Sequence, residues 1–419
     1  LIDAMTGTVH IIGAGLSGLS AAVRLKSAGR DVTVHEATAF AGGRCRSYHD
    51  ATLGMTIDNG NHLLLSGNRA ALDYLRRIGA DHLLVGPAKA EFNFADLASG
   101  ERWTLRFNDG RIPFWVFDPT KRVPGTQVRD YLPLARLLLA PKGKTVGEVL
   151  ACEGVAYKRL VEPLLLAALN IEAPQGSARL AGAIVRETLA MGGRACRPLI
   201  AREGLGTTLV EPALGWLDQH GVTVRMEHQL RAMRFGASRI EALEFGGETI
   251  ELGSDDAVVL AVPPYIATAL VGAIEGPTQF RAIVNAHFRI APAPGQPPIL
   301  GVLNGTVEWI FAFPGRVSVT ISAGDRLIDT PREELAKTIW DEVARATGLP
   351  PPLPPWQIVR ERRATFAATP EQDAKRPGPA TAWRNLVLAG DWTDTGLPAT
   401  IEGAIRSGNR AAELVVEQR

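Results

Sequence analysis

Apolar residues open the chain in short runs, and their spacing changes twice within thirty positions. Thr8–Ile12 is a compact apolar run of the kind a buried parallel strand needs. From Leu16 to Ala28 the apolar positions recur at helical spacing, and Gly29 ends the pattern. Val32–His35 is a second short run, with Glu36 at its end. This succession predicts a βαβ unit.

The same reading continues along the chain. Asn68–Ile78 reads as a helix with Asn68 as N-cap. Residues 91–117 alternate like strands, and Asp109-Gly110 predicts a hairpin turn. Trp103, Phe107, Phe114, Trp115 and Phe117 would line one sheet, as a substrate face or as plain core. From about Gln127 to His220 the period turns helical, chiefly over Tyr131–Ala140, Tyr157–Asn170 and Ser177–Met191. A helix from Gly204 to His220-Gly221 is followed by a strand over Val222–Met226, a meander over 231–251 and a buried strand in Asp256–Pro264. Residues 280–322 are strand-like, Pro331–Thr347 is an amphipathic helix, and Leu349–Pro355 is a stiff polyproline connection. Asn385–Ala389 reads as a last buried strand before a helix from Ile401 to Val416.

Length and composition narrow the class. The 419 residues suffice for two or three domains and a large core. At 46% hydrophobic and 21% charged the chain reads as globular, and a net charge of +1 gives no footing for nucleic acid. Cys45, Cys152 and Cys196 are far apart and odd in number, which predicts neither a disulfide framework nor a metal site and fits a reducing, cytoplasmic compartment. The sequence lacks the run of about 18 apolar residues that a membrane-spanning helix needs. No secretory signal pattern precedes the first strand, and Leu1–Ala4, ahead of Met5, are set aside as vector residues or an alternative start.

The candidate chemistry sits in the βαβ unit. Gly13, Gly15 and Gly18 follow the first strand at G-x-G-x-x-G spacing. Gly13 permits a tight turn, Gly15 lets the backbone approach a pyrophosphate, and Gly18 lets the helix pack on the strand. The pyrophosphate would rest on the helix N-terminus at Leu16 and Ser17, where unpaired N–H groups and the helix dipole favour an anion. Glu36, followed by Ala37, would hydrogen-bond ribose hydroxyls and repel the extra phosphate of NADP. With strand, helix and acid all in place, the unit predicts a dinucleotide site.

A second glycine pair, Gly42-Gly43, leads into Arg44. Read alone it is a β-turn with a solvated arginine. After this βαβ unit it resembles the continuation found in FAD enzymes of the amine oxidase and carotenoid desaturase type, which implies FAD rather than NAD. The far end of the chain carries the other half of the resemblance, in Gly390-Asp391 and in Ala399-Thr400-Ile401-Glu402-Gly403-Ala404. By that resemblance Asp391 binds the ribityl chain or the pyrophosphate, and the helix start at Ala399, Thr400 and Ile401 points at the flavin. Leu230 would meet adenine through its backbone, and Asn59, Gly60, Asn61 and His62 would pass near the flavin ring. Turn chemistry at Asn59 and Asn61 and a core histidine at His62 stay open beside that reading.

The segments IDNGNHLLLSGN and AGDWTDTGLPATIEGA are more closely similar to the hydroxysqualene dehydroxylases, bacterial squalene-associated FAD-dependent desaturases. The implied fold is α/β. A Rossmann-type FAD-binding domain would use residues 1–90, 204–275 and 380–419, and a mixed-sheet substrate domain 91–126 and 276–379. Residues 127–203 would form a helical subdomain facing substrate or membrane. The implied activity is reduction of hydroxysqualene to squalene in hopanoid and squalene biosynthesis. That implies an apolar C30 isoprenoid substrate, with upstream synthases of the pathway as candidate partners. The substrate is an allylic alcohol whose hydroxyl must leave as water, so an acid is required; His62, Asp58 and Asp394 are the candidates. Leucines at 132–139 and 164–166 are either core or a peripheral contact with the inner membrane somewhere in 130–170. Two features count against an amine substrate. No lysine occurs between Lys158 and Lys337, and Thr400 stands where amine oxidases often carry an aromatic residue. A phytoene-type desaturase and a non-enzymatic FAD-binding protein are the alternatives.

Overall fold

The computed structural model describes residues 7–417; the four residues set aside before Met5 lie outside them. Thr8–Ile12 is the central strand of a five-stranded parallel sheet, ordered Thr223–Arg225, Asp31–His35, Thr8–Ile12, Ala257–Leu260, Leu386–Leu388. Parallel strands covered on both faces are apolar throughout, and Val9, Ile11, Val34, Val258, Val259 and Leu260 have no exposed surface. The helix Leu16–Ser27 packs along the C-terminal helix Ile401–Glu417. They approach most closely at Gly408, where a Cβ would lie 2.1 Å from the Ser17 carbonyl oxygen. The chain's two ends thus meet on one face of the sheet. A three-stranded antiparallel meander, Leu230–Phe235, Ile240–Phe245 and Thr249–Glu251, follows the edge strand Thr223–Arg225.

A second, seven-stranded sheet runs Trp356–Phe366, Phe280–Phe288, Arg316–Ile321, Trp309–Phe313, Ile299–Leu303, Glu91–Asp96, Arg102–Arg106. It is antiparallel except between Ile299–Leu303 and Glu91–Asp96. Side chains alternate across it, and its two faces do different work. On one, Val284, Ala286, Val317, Val319 and Ile321 pack against Leu335, Ile339 and Trp340 of the helix Arg332–Thr347. The other carries Phe94, Trp103, Trp309, Phe311 and Phe313 toward Tyr131, Leu160 and Ile200 of the mostly helical segment. On that same face the neighbouring strands carry polar residues, Asn285, His287, Ser318 and Thr320.

Several local expectations change. The hairpin turn between the strands Glu91–Asp96 and Arg102–Arg106 lies at residues 97–101, not at Asp109-Gly110. There Asp96 Oδ1 accepts the Ala98 N–H at 3.0 Å and Gly100 takes φ +74°. Asn108 organises the stretch that carries Asp109-Gly110. Its amide donates to the carbonyls of Gly110 and Ile112, and its Oδ1 accepts the Trp115 N–H. Phe114–Phe117 is therefore a 3₁₀ turn, with Trp115 inside and Phe114 and Phe117 outside rather than on a sheet. The expected helix Tyr131–Ala140 is a 3₁₀ segment, Val128–Leu134, followed by one α-turn, Ala135–Leu138. Pro133 supplies no N–H to an α-helical ladder at that point. Asn68 flanks the helix Arg69–Arg77, but its side chain accepts the Leu65 N–H. The helix N–H groups of Ala70 and Ala71 are met instead by Glu402, at 3.1 and 2.9 Å.

Candidate active site

The βαβ unit folds into an open cradle. Gly13 takes φ +105°, which an L side chain adopts only with strain, and a Cβ on Gly18 would stand 1.9 Å from the Gly13 carbonyl oxygen. Gly15 is the helix N-cap, and no atom lies within 4 Å of where its Cβ would be. Gly42 bridges to Gly15 in parallel, and a Cβ on Gly43 would lie 3.5 Å from the Gly15 Cα. Leu16 and Ser17, both buried, form the first helical turn above this gap. Glu36 closes one side: its carboxylate accepts the Ala14 N–H at 2.8 Å and the Thr38 N–H at 3.0 Å. Ala37 is exposed beside it, and the Glu36 carbonyl accepts the His228 N–H, which brings the chain leading to Leu230 alongside. The cradle, the acid and the helix N-terminus fit an adenine dinucleotide.

The opposite end of the chain completes this site. Arg44 donates to Asp391 at 2.7 Å and to the Ala364 carbonyl at 2.6 Å. Gly390 takes φ +151°, and a Cβ there would lie 2.4 Å from the Trp392 indole nitrogen. After Ala399, Thr400 Oγ1 accepts the Gly403 N–H at 3.0 Å and starts the helix at Ile401. The buried Arg376 donates to the Asp391 carbonyl at 3.1 Å and to Thr395 Oγ1 at 3.0 Å, bracing the loop between acid and helix.

Residues 58–62 stitch this half to the seven-stranded sheet. Asn59 donates to Glu361, and its carbonyl accepts from Asn285. Gly60 passes so close that a Cβ would lie 3.2 Å from the Asn285 side chain. Asn61 donates to the Val319 carbonyl and to Thr320 Oγ1, each at 3.2 Å. The half-buried ring of His62 makes no hydrogen bond among the described residues, and Leu63 reaches the aromatic face. Burial pushes the His62 imidazolium down to about 4, opposed by Asp58 and aided by Arg44, so the ring is neutral at pH 7.

The other two acids are committed elsewhere. Asp58 is buried, accepts Ser47 Oγ at 2.6 Å and the Leu205 N–H at 2.7 Å, and pairs with the buried Arg316 at 3.4 Å. Asp394 pairs with Arg179 at 3.0 Å. Burial raises the Asp394 carboxyl, but the Arg179 guanidinium outweighs it and leaves the group below the usual range. Both carboxylates thus act as structural anchors, each paired with an arginine. The sequence reading missed Glu308, beside Trp309. Burial pushes its carboxyl up to about 7. The Ser322 N–H donates to one oxygen at 2.9 Å, while the other is buried without a hydrogen bond, 3.9 Å from the Arg326 guanidinium, whose charge only partly opposes the effect of burial. Ser322 lies two residues from Thr320, the residue Asn61 touches.

Around this point the aromatic face is continuous. Phe94 stacks on Trp103 at 5.4 Å and meets Trp309 edge-on, and Trp115 joins Phe107 and Tyr131 at 4.9 and 5.1 Å.

Comparison with known proteins agrees with this architecture. The family model for flavin containing amine oxidoreductases matches residues 16–416. A hydroxysqualene dehydroxylase from Rhodopseudomonas palustris is 61% identical over 98% of this chain and 99% of its own length. The chain belongs to the flavin containing amine oxidoreductases, among the hydroxysqualene dehydroxylases. Another member of that group, from Zymomonas mobilis, is 47% identical over 97% of this chain and 98% of its own. A relative of the zeta-carotene desaturase type from Synechococcus elongatus is only 22% identical, over 98% of both chains. The solved structure of putrescine oxidase with putrescine bound has the same fold, with a TM-score of 0.73 and 17% identity over 98% of this chain and 99% of that one. Members of the family carry FAD, the group the cradle fits. Among the described residues no helix is long and apolar enough to cross a membrane, and no cluster of three or more side chains could hold a metal ion.

Proposed function

We infer that this chain reduces hydroxysqualene to squalene, with water as the second product. The observation that carries the reading is the end-to-end match to hydroxysqualene dehydroxylases at 61% identity, against 22% for the desaturase type. Three structural parts divide the work: the parallel-sheet domain holds the cofactor, the seven-stranded sheet presents the substrate face, and the helical segment covers it.

Bound FAD, in its reduced form, supplies the hydride. Gly13, Gly15, Gly42, Gly43 and Arg44 would hold its pyrophosphate, Glu36 its ribose, and Asp391 with the helix start at Ala399–Ile401 its ribityl and ring end. The protein must then break an allylic C–O bond whose leaving group, as hydroxide, is poor. Glu308 is suited to hand a proton to that oxygen, because burial keeps its carboxyl partly protonated at neutral pH. His62 stays neutral and offers a ring N–H to the same oxygen. Phe94, Trp103 and Trp309 would line the substrate path as one apolar aromatic wall and exclude water from the reacting carbons.

Product analysis tests this. Reduced holoenzyme supplied with hydroxysqualene should yield squalene, and oxidised holoenzyme supplied with phytoene should leave it unchanged. Dehydrogenated phytoene with no squalene would select the desaturase reading instead.

A further inference from the structure

The aromatic face has an outer side. Ten large apolar side chains stand exposed among the described residues, and six of them fall between positions 112 and 155. Ile112, Phe114, Phe117 and Leu132 are each more than half exposed, and Leu139 is 88% exposed. They share their turns with residues that point inward. Phe114 and Phe117 flank Trp115 and Val116, Leu132 follows Tyr131, and Trp115 and Tyr131 meet at 5.1 Å within the aromatic cluster. The exposed Phe114, Phe117 and Leu132 thus adjoin, along the chain, side chains of the face proposed for the substrate.

Charge completes the pattern. Residues 111–144 hold seven basic residues (Arg111, Lys121, Arg122, Arg129, Arg136, Lys142, Lys144) against two acidic ones (Asp118, Asp130), a net +5 in a chain whose total is +1. Arg111, Arg129, Arg136 and Lys142 are exposed and interleave in sequence with the exposed apolar side chains. Short 3₁₀ turns with outward aromatics and interleaved cations suit the headgroup layer of an anionic bilayer. The patch expected from sequence lay farther on, at 130–170. Its second half, Leu164–Leu166, is buried or half-buried in the helical segment instead.

We propose that residues 111–144 dock the protein onto an anionic lipid bilayer, so that an apolar substrate is taken up from the membrane rather than from water. The proposal rests on the apolar-substrate reading above. It concerns a surface contact, with Phe114 and Leu139 as shallow anchors and Arg136 and Lys142 as headgroup contacts.

The test is co-sedimentation of full-length holoenzyme with vesicles of phosphatidylcholine alone or mixed with phosphatidylglycerol. Binding should be reversible and at least roughly ten-fold stronger to the mixed vesicles, and weaken with salt. The double variant Phe114→Ser/Leu139→Ser should lose roughly ten-fold or more on both vesicle types, while Arg136→Gln/Lys142→Gln should lose chiefly the anionic preference. Both variants should turn over detergent-dispersed hydroxysqualene like the parent, so loss of docking is read apart from the chemistry. Failure of the parent itself on dispersed substrate would sink the functional reading and leave the docking result standing by itself. Absence of vesicle binding by the parent, or equal binding by the serine variant, overturns the proposal. So does a dimer that the serine substitutions dissolve while no vesicle binding occurs, which assigns the patch to a second copy of the chain.

Discussion

Replacing Glu36 by Ala separates cofactor binding from folding. In the folded chain this carboxylate holds two backbone N–H groups, those of Ala14 and Thr38, at 2.8 and 3.0 Å. It sits half-exposed at the end of the strand Asp31–His35, outside the apolar core. Losing these turn contacts should therefore cost about 1–2 kcal/mol of stability, since the exposed Thr38 N–H can turn to water while the buried Ala14 N–H loses its acceptor. The cofactor loses more. One to two charge-assisted hydrogen bonds to ribose hydroxyls, at about 1.5–3 kcal/mol each, amount to roughly 2–4 kcal/mol after partial replacement by solvent. FAD affinity should then fall roughly thirty- to a thousand-fold. Flavin titration of the deflavinated variant, beside thermal unfolding of the same preparation without flavin, measures both quantities. Unchanged FAD affinity, or a stability loss as large as the affinity loss, would refute the placement of the ribose at Glu36.

Other perturbations probe the anchors and the acids. Asp58→Asn strands the buried Arg316 guanidinium and should cost about 3–5 kcal/mol in denaturant unfolding; normal stability with turnover abolished would return Asp58 to the proton donors. Gly408→Ala drives a Cβ to 2.1 Å from the Ser17 carbonyl and should lower stability by about 1–3 kcal/mol or more by forcing the two helices apart; an unchanged Tm would contradict that packing. Burial holds His35 and His287 down near 3 and His62 near 4, so the unfolded chain binds more protons and stability is lost as pH falls from about 6.5. At pH 5 each histidine costs about 2 kcal/mol, and Glu308, whose pKa is raised, offsets about one of them, leaving roughly 4 kcal/mol; equal stability at pH 5 and pH 7 would contradict the buried neutral rings. Glu308→Gln should cut turnover by roughly a hundred-fold or more with flavin content intact. In the parent, turnover should level off below about pH 7 and fall above it; a tenfold rise per unit down to about pH 4 would point to His62 as the donor.

What could be read from sequence was local or spelled by glycine. Thr8–Ile12, the helix after it and Glu36 are fixed by spacing within thirty residues, and all three lie as expected. Gly390-Asp391 and the helix start at Ile401 stood out for the same reason. Their meeting with Arg44, 347 residues away, is a product of the parallel sheet order. Turn signals misled where side chains outweighed them: Asp109-Gly110 carries a hairpin signature, yet Asn108 folds that stretch into a loop. The leucines at 132–139 hid a proline that breaks their helix and turns several of them outward. Asp58 stood out because its neighbours resemble a flavin-contact segment, while its partner Arg316 belongs to a strand 258 residues on, which no local pattern reveals. Glu308 carries no motif. Its raised pKa comes from burial where the sheet meets Ser322, and no local pattern encodes that.

The most direct measurement is an anaerobic single turnover. Purified holoenzyme is photoreduced, mixed with one equivalent of hydroxysqualene, and followed by flavin absorbance while lipid is extracted. Dehydroxylation by hydride transfer predicts flavin reoxidation at the rate squalene appears, one squalene per flavin. Flavin that stays reduced, or reoxidises without squalene, would contradict it.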